Sequence, residues 1–223
     1  MADTLKGKFQ VQASANSAAS VSDAVGASEV DTVLSISICN THASTDTTID
    51  LYIDPASGSN TYIYLNQPLP AKGTFIHSSK IVLKEGDLLK FETSAAVSCQ
   101  VITSYLHQTS VATSSGNDYL DRAITAQTGA TSEVNMTPLN VTETITVLSF
   151  TVCNQNTSTD TTFDVFVRAD GSEYRLLEDQ ALPSQSTYEH NDKIILEANE
   201  ELVFDQAASL DVGIVCSFLR QVT

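Results

Sequence analysis

The stretch VLSISICNTHASTDTTIDLYI at residues 33–53 returns 114 positions later as VLSFTVCNQNTSTDTTFDVFV at residues 147–167. With one residue deleted, the match continues from LNQPLPAKGTFIHSSKIVLKEGDLLKFE to LEDQALPSQSTYEHNDKIILEANEELVFD. It ends where SYLHQ, residues 104–108, aligns with SFLRQ, residues 217–221. Each copy covers about 80 residues, a length that folds as an independent domain. The repeat therefore predicts two similar tandem domains.

Apolar and polar residues alternate within each copy. Leu34, Ile36 and Ile38 are separated by Ser35 and Ser37, and this period of two predicts half-buried strands with the apolar side chains facing inward. Turn-forming clusters separate the strands, and no helical pattern lies between them. The expected fold class is all-β, with two tandem antiparallel β-sandwiches of the jelly-roll or immunoglobulin-like kind.

The segments outside the repeat suggest four regions. They are an N-terminal arm at residues 1–29, a first sandwich at 30–109, a linker or arm at 110–143 and a second sandwich at 144–223. The two arm segments are low in charge and poor in large apolar residues. This composition is typical of extended arms that order on a neighbouring subunit rather than on their own domain. A loose match between KFQVQA at residues 8–13 and RAITAQ at residues 122–127 would give each domain a leading strand or arm.

Composition excludes several functional classes. The chain has 223 residues, of which 27 are acidic and 11 are Lys or Arg, for a formal net charge of −16. Nucleic-acid binding is not expected, because such a surface repels phosphates. No apolar run reaches the roughly 18 residues of a membrane span, and the first residues lack a secretory signal, so synthesis as a soluble cytoplasmic chain is expected.

The side chains that could carry chemistry are few. The sequence contains no nucleophile elbow, phosphate-binding loop or metal-binding motif, so we expect no catalytic residue, no cofactor and no metal. The four cysteines occur singly and are interpreted as buried free thiols, with Cys99 and Cys216 on inward strand faces. The candidate site is the polar and thiol signature shared by both copies: Cys39, Asn40, Asp46, Asp50 and His77, and Cys153, Asn154, Asp160, Asp164 and His190.

Each signature motif has two interpretations. The STDTT segment could form a calcium loop, but a turn in which Asp46 and Asp160 cap backbone amides needs fewer assumptions. His77 and His190 could bind a metal, although a hydrogen bond to a turn is the simpler interpretation. A sugar-binding platform or a place in the sandwich core or rim could explain the aromatic residues Tyr52, Tyr62, Tyr64, Phe166 and Tyr174.

The repeat also resembles a known class of protein. An opening strand ending in CN, the STDTT turn, the LYI or VFV strand, QPLPAKGTF or QALPSQSTY, and KIVLKEGDLLKFE are similar to small β-sandwich modules in virion structural proteins of tailed bacteriophages, especially marine and cyanobacterial phages. The second copy departs from the pattern where ANE, residues 198–200, replaces EGD, residues 85–87, and the turn glycine is lost.

The resemblance implies a non-enzymatic virion protein made in the host cytoplasm. We expect an accessory or decoration protein of the capsid or neck, with other virion proteins as partners and a trimer or hexamer as the homo-oligomer. A tail or baseplate protein is one alternative. A carbohydrate-binding or adhesion module is another, in which exposed aromatic residues such as Tyr62 or Tyr64 would bind sugar.

Overall fold

A computed structural model describes residues 2–109, 118–138 and 142–222. The chain divides into two compact units, Met1–Val111 and Ala112–Thr223. In the described ranges both units consist of strands joined by turns and loops. None of these ranges contains a helix with the length and apolar character needed to cross a bilayer.

The first unit is formed by two antiparallel sheets. Its strands are β1 (Ala2–Gln12), β2 (Ala19–Ser20), β3 (Glu29–Asn40), β4 (Thr47–Asp54), β5 (Thr61–Leu69), β6 (Thr74–His77), β7 (Ile81–Leu83), β8 (Leu88–Thr93) and β9 (Cys99–Thr109). One sheet has the order β1-β9-β3-β6, with β7 also paired to β3, and the other has the order β2-β8-β4-β5. With β6 and β7 taken as one interrupted strand, this is the jelly-roll arrangement.

The second unit repeats this topology strand for strand. Its strands are β10 (Tyr119–Ala130), β11 (Val134–Asn135), β12 (Glu143–Asn154), β13 (Thr161–Ala169), β14 (Ser172–Leu182), β15 (Thr187–His190), β16 (Ile194–Leu196), β17 (Glu201–Gln206) and β18 (Leu210–Val222). The sheet orders are β10-β18-β12-β15, with β16 on β12, and β11-β17-β13-β14. The predicted all-β tandem sandwich is confirmed. The immunoglobulin-like alternative is wrong, because immunoglobulin sheets combine their strands in a different order.

Inward-facing apolar side chains fill both sandwiches. In the first unit, Ile36, Ile38, Leu51 and Phe91 are fully buried. The core of the second unit consists of Met136, Ile145, Val147, Phe150, Val152, Phe163, Val165, Leu182, Leu196, Leu202, Phe204, Val212, Ile214, Cys216 and Phe218. Burial of these side chains provides the main favourable contribution to the folding free energy.

A register irregularity occurs at the same place in both units. The pairing of β3 with β9 shifts at Leu34, and the pairing of β12 with β18 shifts at Leu148. Leu34 and Leu148 are only half-buried, so their predicted place in the inward-facing series is wrong. An extra residue in one strand changes the alternation from that point on, and the predicted inward face holds from Ile36 onward in β3.

The two segments expected to be arms contribute strands to their own units. β1 pairs with β9 in unbroken register from Ala2 with Thr109 to Gln12 with Cys99. From the linker segment, β10 pairs with β18 and β11 with β17. Residues 110–117 and 139–141 of that linker lie outside the described residues. The described parts therefore differ from the expected arms, because edge strands need few large inward side chains and their composition looks like that of a linker.

Candidate functional site

Asn40 and Asn154 close the strands β3 and β12 and are fully buried. Asn40 Nδ2 donates to the carbonyl oxygens of Thr45 (2.9 Å) and Leu69 (3.4 Å), while Oδ1 accepts from the amide of His42 (3.0 Å). The corresponding partners of Asn154 are Thr159, Leu182 and Asn156, at 3.0, 3.1 and 2.9 Å. A buried amide must satisfy its donor and its acceptor atoms together, so this position is suited to Asn in both units.

Asp46 and Asp160 connect two loops. Asp46 Oδ1 accepts the backbone amide of Ala71 at 2.8 Å, and Asp160 Oδ1 accepts that of Ser184 at 2.9 Å. These donors lie 25 and 24 residues further along the chain. Each carboxylate therefore accepts a backbone amide, and that amide lies in the loop after the Leu-Pro pair rather than in the same turn.

His42 and Asn156 cap that turn instead. His42 Nδ1 accepts the amides of Ser44 (3.3 Å) and Thr45 (3.0 Å). Asn156 Oδ1 accepts the equivalent amides of Ser158 and Thr159, at 3.1 and 3.0 Å. His42 aligns with Asn156 in the repeat, but the two residue types differ and the sequence therefore predicted no repeated site at this position. Both side chains carry an acceptor atom bonded to Cγ, which is Nδ1 in His42 and Oδ1 in Asn156. This shared acceptor was the signal in the alignment that could have indicated a common cap.

Asp50 and Asp164 hold a left-handed residue in the neighbouring strand. Asp50 Oδ1 accepts the amide of Asn66 at 2.6 Å, and Asp164 Oδ1 accepts that of Asp179 at 2.8 Å. Asn66 and Asp179 have φ values of 53° and 49°. Burial raises the pKa of Asp50, and the Asn66 amide partly offsets this effect. Asp164 also accepts a hydrogen bond from Arg175 at 2.7 Å.

The histidines of the signature have equivalent backbone positions and different partners. His77 is buried and its Nδ1 lies 2.9 Å from the Tyr64 hydroxyl. His190 is half-buried and stacks on Phe150, with the ring centroids 4.8 Å apart and the planes 14° from parallel. The hydrogen bond of His77 goes to a strand side chain rather than to the expected turn. The two histidines therefore form no repeated site with common chemistry.

All four cysteines are free thiols. Cys99, Cys153 and Cys216 are fully buried, whereas Cys39 is half-buried. Burial raises the pKa of Cys99 to about 11, with a smaller contribution from Cys39, and it also raises the pKa of Cys216. Thiols of this kind are poor nucleophiles and poor metal ligands at neutral pH.

Most of the aromatic residues considered for sugar binding are inaccessible. Tyr52 and Tyr64 are each 5% exposed and Phe166 is 1% exposed. Tyr62 is half-buried, with its ring centroid 5.3 Å from that of Tyr52. Tyr174 is 60% exposed. The suggestion of Tyr64 as an exposed sugar-binding residue is therefore wrong, because its side chain lies inside the sandwich against His77.

Two shallow depressions lie in the second unit. One, of about 230 Å³, is lined by Asp164, Asp179 and Asp205 together with neighbouring polar groups. The other, of about 400 Å³, is mainly apolar and includes Leu182 and Pro183. Among the described residues, no three His, Cys, Asp or Glu side chains are grouped so as to hold a metal ion.

No protein-family model matches the sequence, and no curated protein matches it either. Among solved structures, the chain is similar to the major capsid protein P2 from bacteriophage PM2, with 13% identity and a TM-score of 0.41 over 100% of this chain and 98% of that chain. It is also similar to the tandem CBM22-1-CBM22-2 domains of Xyn10C from Paenibacillus barcinonensis, with 12% identity and a TM-score of 0.30 over 99% and 93% of the two chains.

A third similarity is to a chain of the Sulfolobus Turreted Icosahedral Virus structure, with 15% identity and a TM-score of 0.28 over 99% of this chain and 60% of that chain. TM-scores in this range are too low to assign the chain to a fold family or to transfer a function.

Proposed function

We propose that the chain is a non-enzymatic structural protein of a virion, made in the host cytoplasm and located on the capsid or neck of a tailed phage as an accessory or decoration protein. One observation carries the proposal. Two jelly rolls of identical strand order follow one another in the chain, and the shared Asn and Asp side chains of the signature bond to the backbone of their own unit. Jelly rolls are a common fold of capsid proteins.

The charge of the chain supports an external position. A formal net charge of −16 disfavours surfaces that face packaged nucleic acid. The proposed partners are other virion proteins and further copies of the chain in a trimer or hexamer. Two similar units per chain would present six modules in a trimer and twelve in a hexamer, numbers that suit the symmetry of capsid and neck sites.

A tail or baseplate position is an alternative within the same class. Carbohydrate binding, which jelly rolls also support, is the alternative from another class. The burial of Tyr52, Tyr64 and Phe166 counts against it, because sugar platforms need exposed rings. Among the aromatic residues considered for sugar binding, Tyr174 is the exposed one on which that alternative would depend.

The test is to locate the protein in purified particles. Antibodies raised against the purified chain should label the capsid or the neck in immunogold electron microscopy, and quantitative mass spectrometry should give a constant copy number per particle. Label at the tail end would instead support the tail or baseplate alternative. Absence from particles, combined with saturable glycan binding that Tyr174→Ala abolishes, would replace the proposal with the carbohydrate-binding function.

A further inference from the structure

The outer face of the β1-β9-β3-β6 sheet carries large apolar side chains in contact with solvent. Leu5, Phe9 and Val11 of β1 are 75%, 75% and 60% exposed. Ile102 of β9 and Ile76 of β6 are 48% and 67% exposed. Single exposed apolar residues are ordinary on a protein surface, but a contiguous group of this kind marks an interaction site.

The register of the strands makes the group contiguous. Phe9 pairs with Ile102, Ile102 with Ser37, and Ser37 with Ile76, so these four residues form one row across the sheet. The next row on the same face is Val11, Gln100, Cys39 and Thr74. We call the two rows, together with Leu5, the apolar face.

The apolar face has no charged side chain in either row. This is unusual for a chain with a formal net charge of −16. A basic partner would find no carboxylate in these rows to pair with, and an acidic partner would find no Lys or Arg. A second copy of the chain also carries −16, so two copies can approach without strong repulsion only where both surfaces are neutral.

We propose that the apolar face binds the same face of a second copy of this chain, as two sheets packed face to face about 10 Å apart. With a two-fold axis parallel to the strands, Phe9 of one copy lies opposite Ile76 of the other, and Ile102 lies opposite the small Ser37. Ile102 and Ser37 then pair a large with a small side chain at the centre of the contact, and both copies use the same patch, as in an isologous interface. This inference concerns association in solution and does not depend on the proposed place in a virion.

The size of the face sets the strength of the contact. With about 4.8 Å between strands and about 3.4 Å per residue, the part from Leu5 to Val11 across four strands covers roughly 450 Å². A stable interface of standard size buries about 800 Å² per partner. We therefore expect reversible association that depends on concentration. Such weak contacts become strong when many of them act together in an assembly.

Sedimentation velocity on the full chain, from about 1 μM to about 1 mM, tests the proposal. The wild-type mass should rise with concentration, whereas the mass of the Phe9→Ser/Ile76→Ser variant should not. The matched control is Tyr174→Ser/Ile195→Ser, which also removes one aromatic residue and one Ile. Tyr174 and Ile195, 60% and 66% exposed, lie outside the apolar face, so this variant should behave as wild type.

Cys39 provides a second readout within the apolar face. Its alkylation by a maleimide should slow as the wild-type concentration rises, and this slowing should be absent in Phe9→Ser/Ile76→Ser. A wild-type mass independent of concentration would overturn the proposal. Equal effects of the two double variants, or Cys39 labelling that ignores concentration, would overturn it as well. Unchanged thermal unfolding of both variants serves as the folding control.

Discussion

His107 of β9 and Arg220 of β18 occupy equivalent positions in the two units, and each lies between two carboxylates. His107 Nδ1 is 2.7 Å from Asp31 Oδ1, and its Nε2 is 3.7 Å from Glu29 Oε1. Arg220 Nε donates to Glu143 Oε2 at 2.6 Å, and its guanidinium reaches Asp121 Oδ2 at 3.7 Å. The second unit therefore has a guanidinium, a permanent cation, where the first has an imidazole.

Replacing the permanent cation should make the second unit sensitive to pH. At pH 8, Arg220→His should lower the stability of this unit by about 1–3 kcal/mol, because a neutral imidazole leaves two largely buried carboxylates without their cation. Hydrogen exchange of β10, β12 and β18, followed by mass spectrometry, measures the loss. His107→Arg is the control and should keep or increase the protection of β3 and β9. Equal protection of β18 in Arg220→His and wild type would contradict the prediction.

Asp50 should make the first unit less stable as the pH rises. Burial raises its pKa above the ordinary 3.8, so the folded state binds the proton more tightly than the unfolded state does. Stability from this group is present below pH 3.8 and is lost as the pH rises through the folded pKa. Asp50→Asn should remove this loss and retain an acceptor for the Asn66 amide. The difference in unfolding free energy, wild type minus Asp50→Asn, should therefore fall as the pH rises from 3.8 through the folded pKa. Hydrogen exchange of β4 and β5 measures this difference.

The equivalent change in the second unit should have the opposite effect. Asp164 accepts a hydrogen bond from Arg175, and Asp164→Asn should therefore lower the free energy of unfolding at pH 7 by about 0.5–1 kcal/mol.

The Asp50 prediction has its own contradicting result. If the difference in unfolding free energy between wild type and Asp50→Asn does not change with pH, the Asp50 carboxylate does not contribute as argued.

The turn before β8 has Gly86, whereas the equivalent turn before β17 has Asn199, so the two units differ at this position. Gly86 has φ +78°, and a Cβ atom there would lie 2.6 Å from Ala56 Cβ. Asn199, in the equivalent turn, has φ +68°. Gly86→Asn should cost about 1–3 kcal/mol through this clash, and adding Ala56→Gly should recover most of it. Asn199→Gly should change stability by less than about 1 kcal/mol. Thermal unfolding of the four proteins tests these values, and an unrecovered double variant would exclude the clash as the cause.

The turn cap of the first unit should depend on the acceptor atom at position 42. His42 Nδ1 accepts the amides of Ser44 and Thr45. His42→Asn copies the cap of the second unit and should keep these two amides protected from hydrogen exchange, whereas His42→Ala should expose them. Hydrogen exchange of residues 44 and 45 provides the measurement, and equal protection in wild type and His42→Ala would refute the cap.

The four thiols should differ in reactivity. At pH 7.5 and low protein concentration, a maleimide should modify Cys39 first, because burial covers the other three and raises the pKa of Cys99 to about 11. Peptide mapping identifies the modified residue, and labelling in denaturant controls for intrinsic reactivity. Early modification of Cys216 would mean that the core of the second unit opens readily.

The sequence predicted what depends on local pattern and on the repeat. Alternation in segments such as residues 33–53 indicated strands, and the match between the copies indicated two domains. The choice between jelly roll and immunoglobulin-like order could not be made, because strand order depends on pairing between distant segments such as β1 and β9. Asp46 and Asp160 lie in the loops before β4 and β13, but the amides that they accept lie in another loop and leave no local trace.

The identical strand order of the two units gives the chain an internal standard. Each position in one unit has an equivalent position in the other, on the corresponding strand of the same polypeptide. Peptides from both units can therefore be compared within one sample, where errors in temperature, pH and denaturant concentration cancel. Differences in free energy between equivalent positions become measurable with a precision that two separate proteins would not allow.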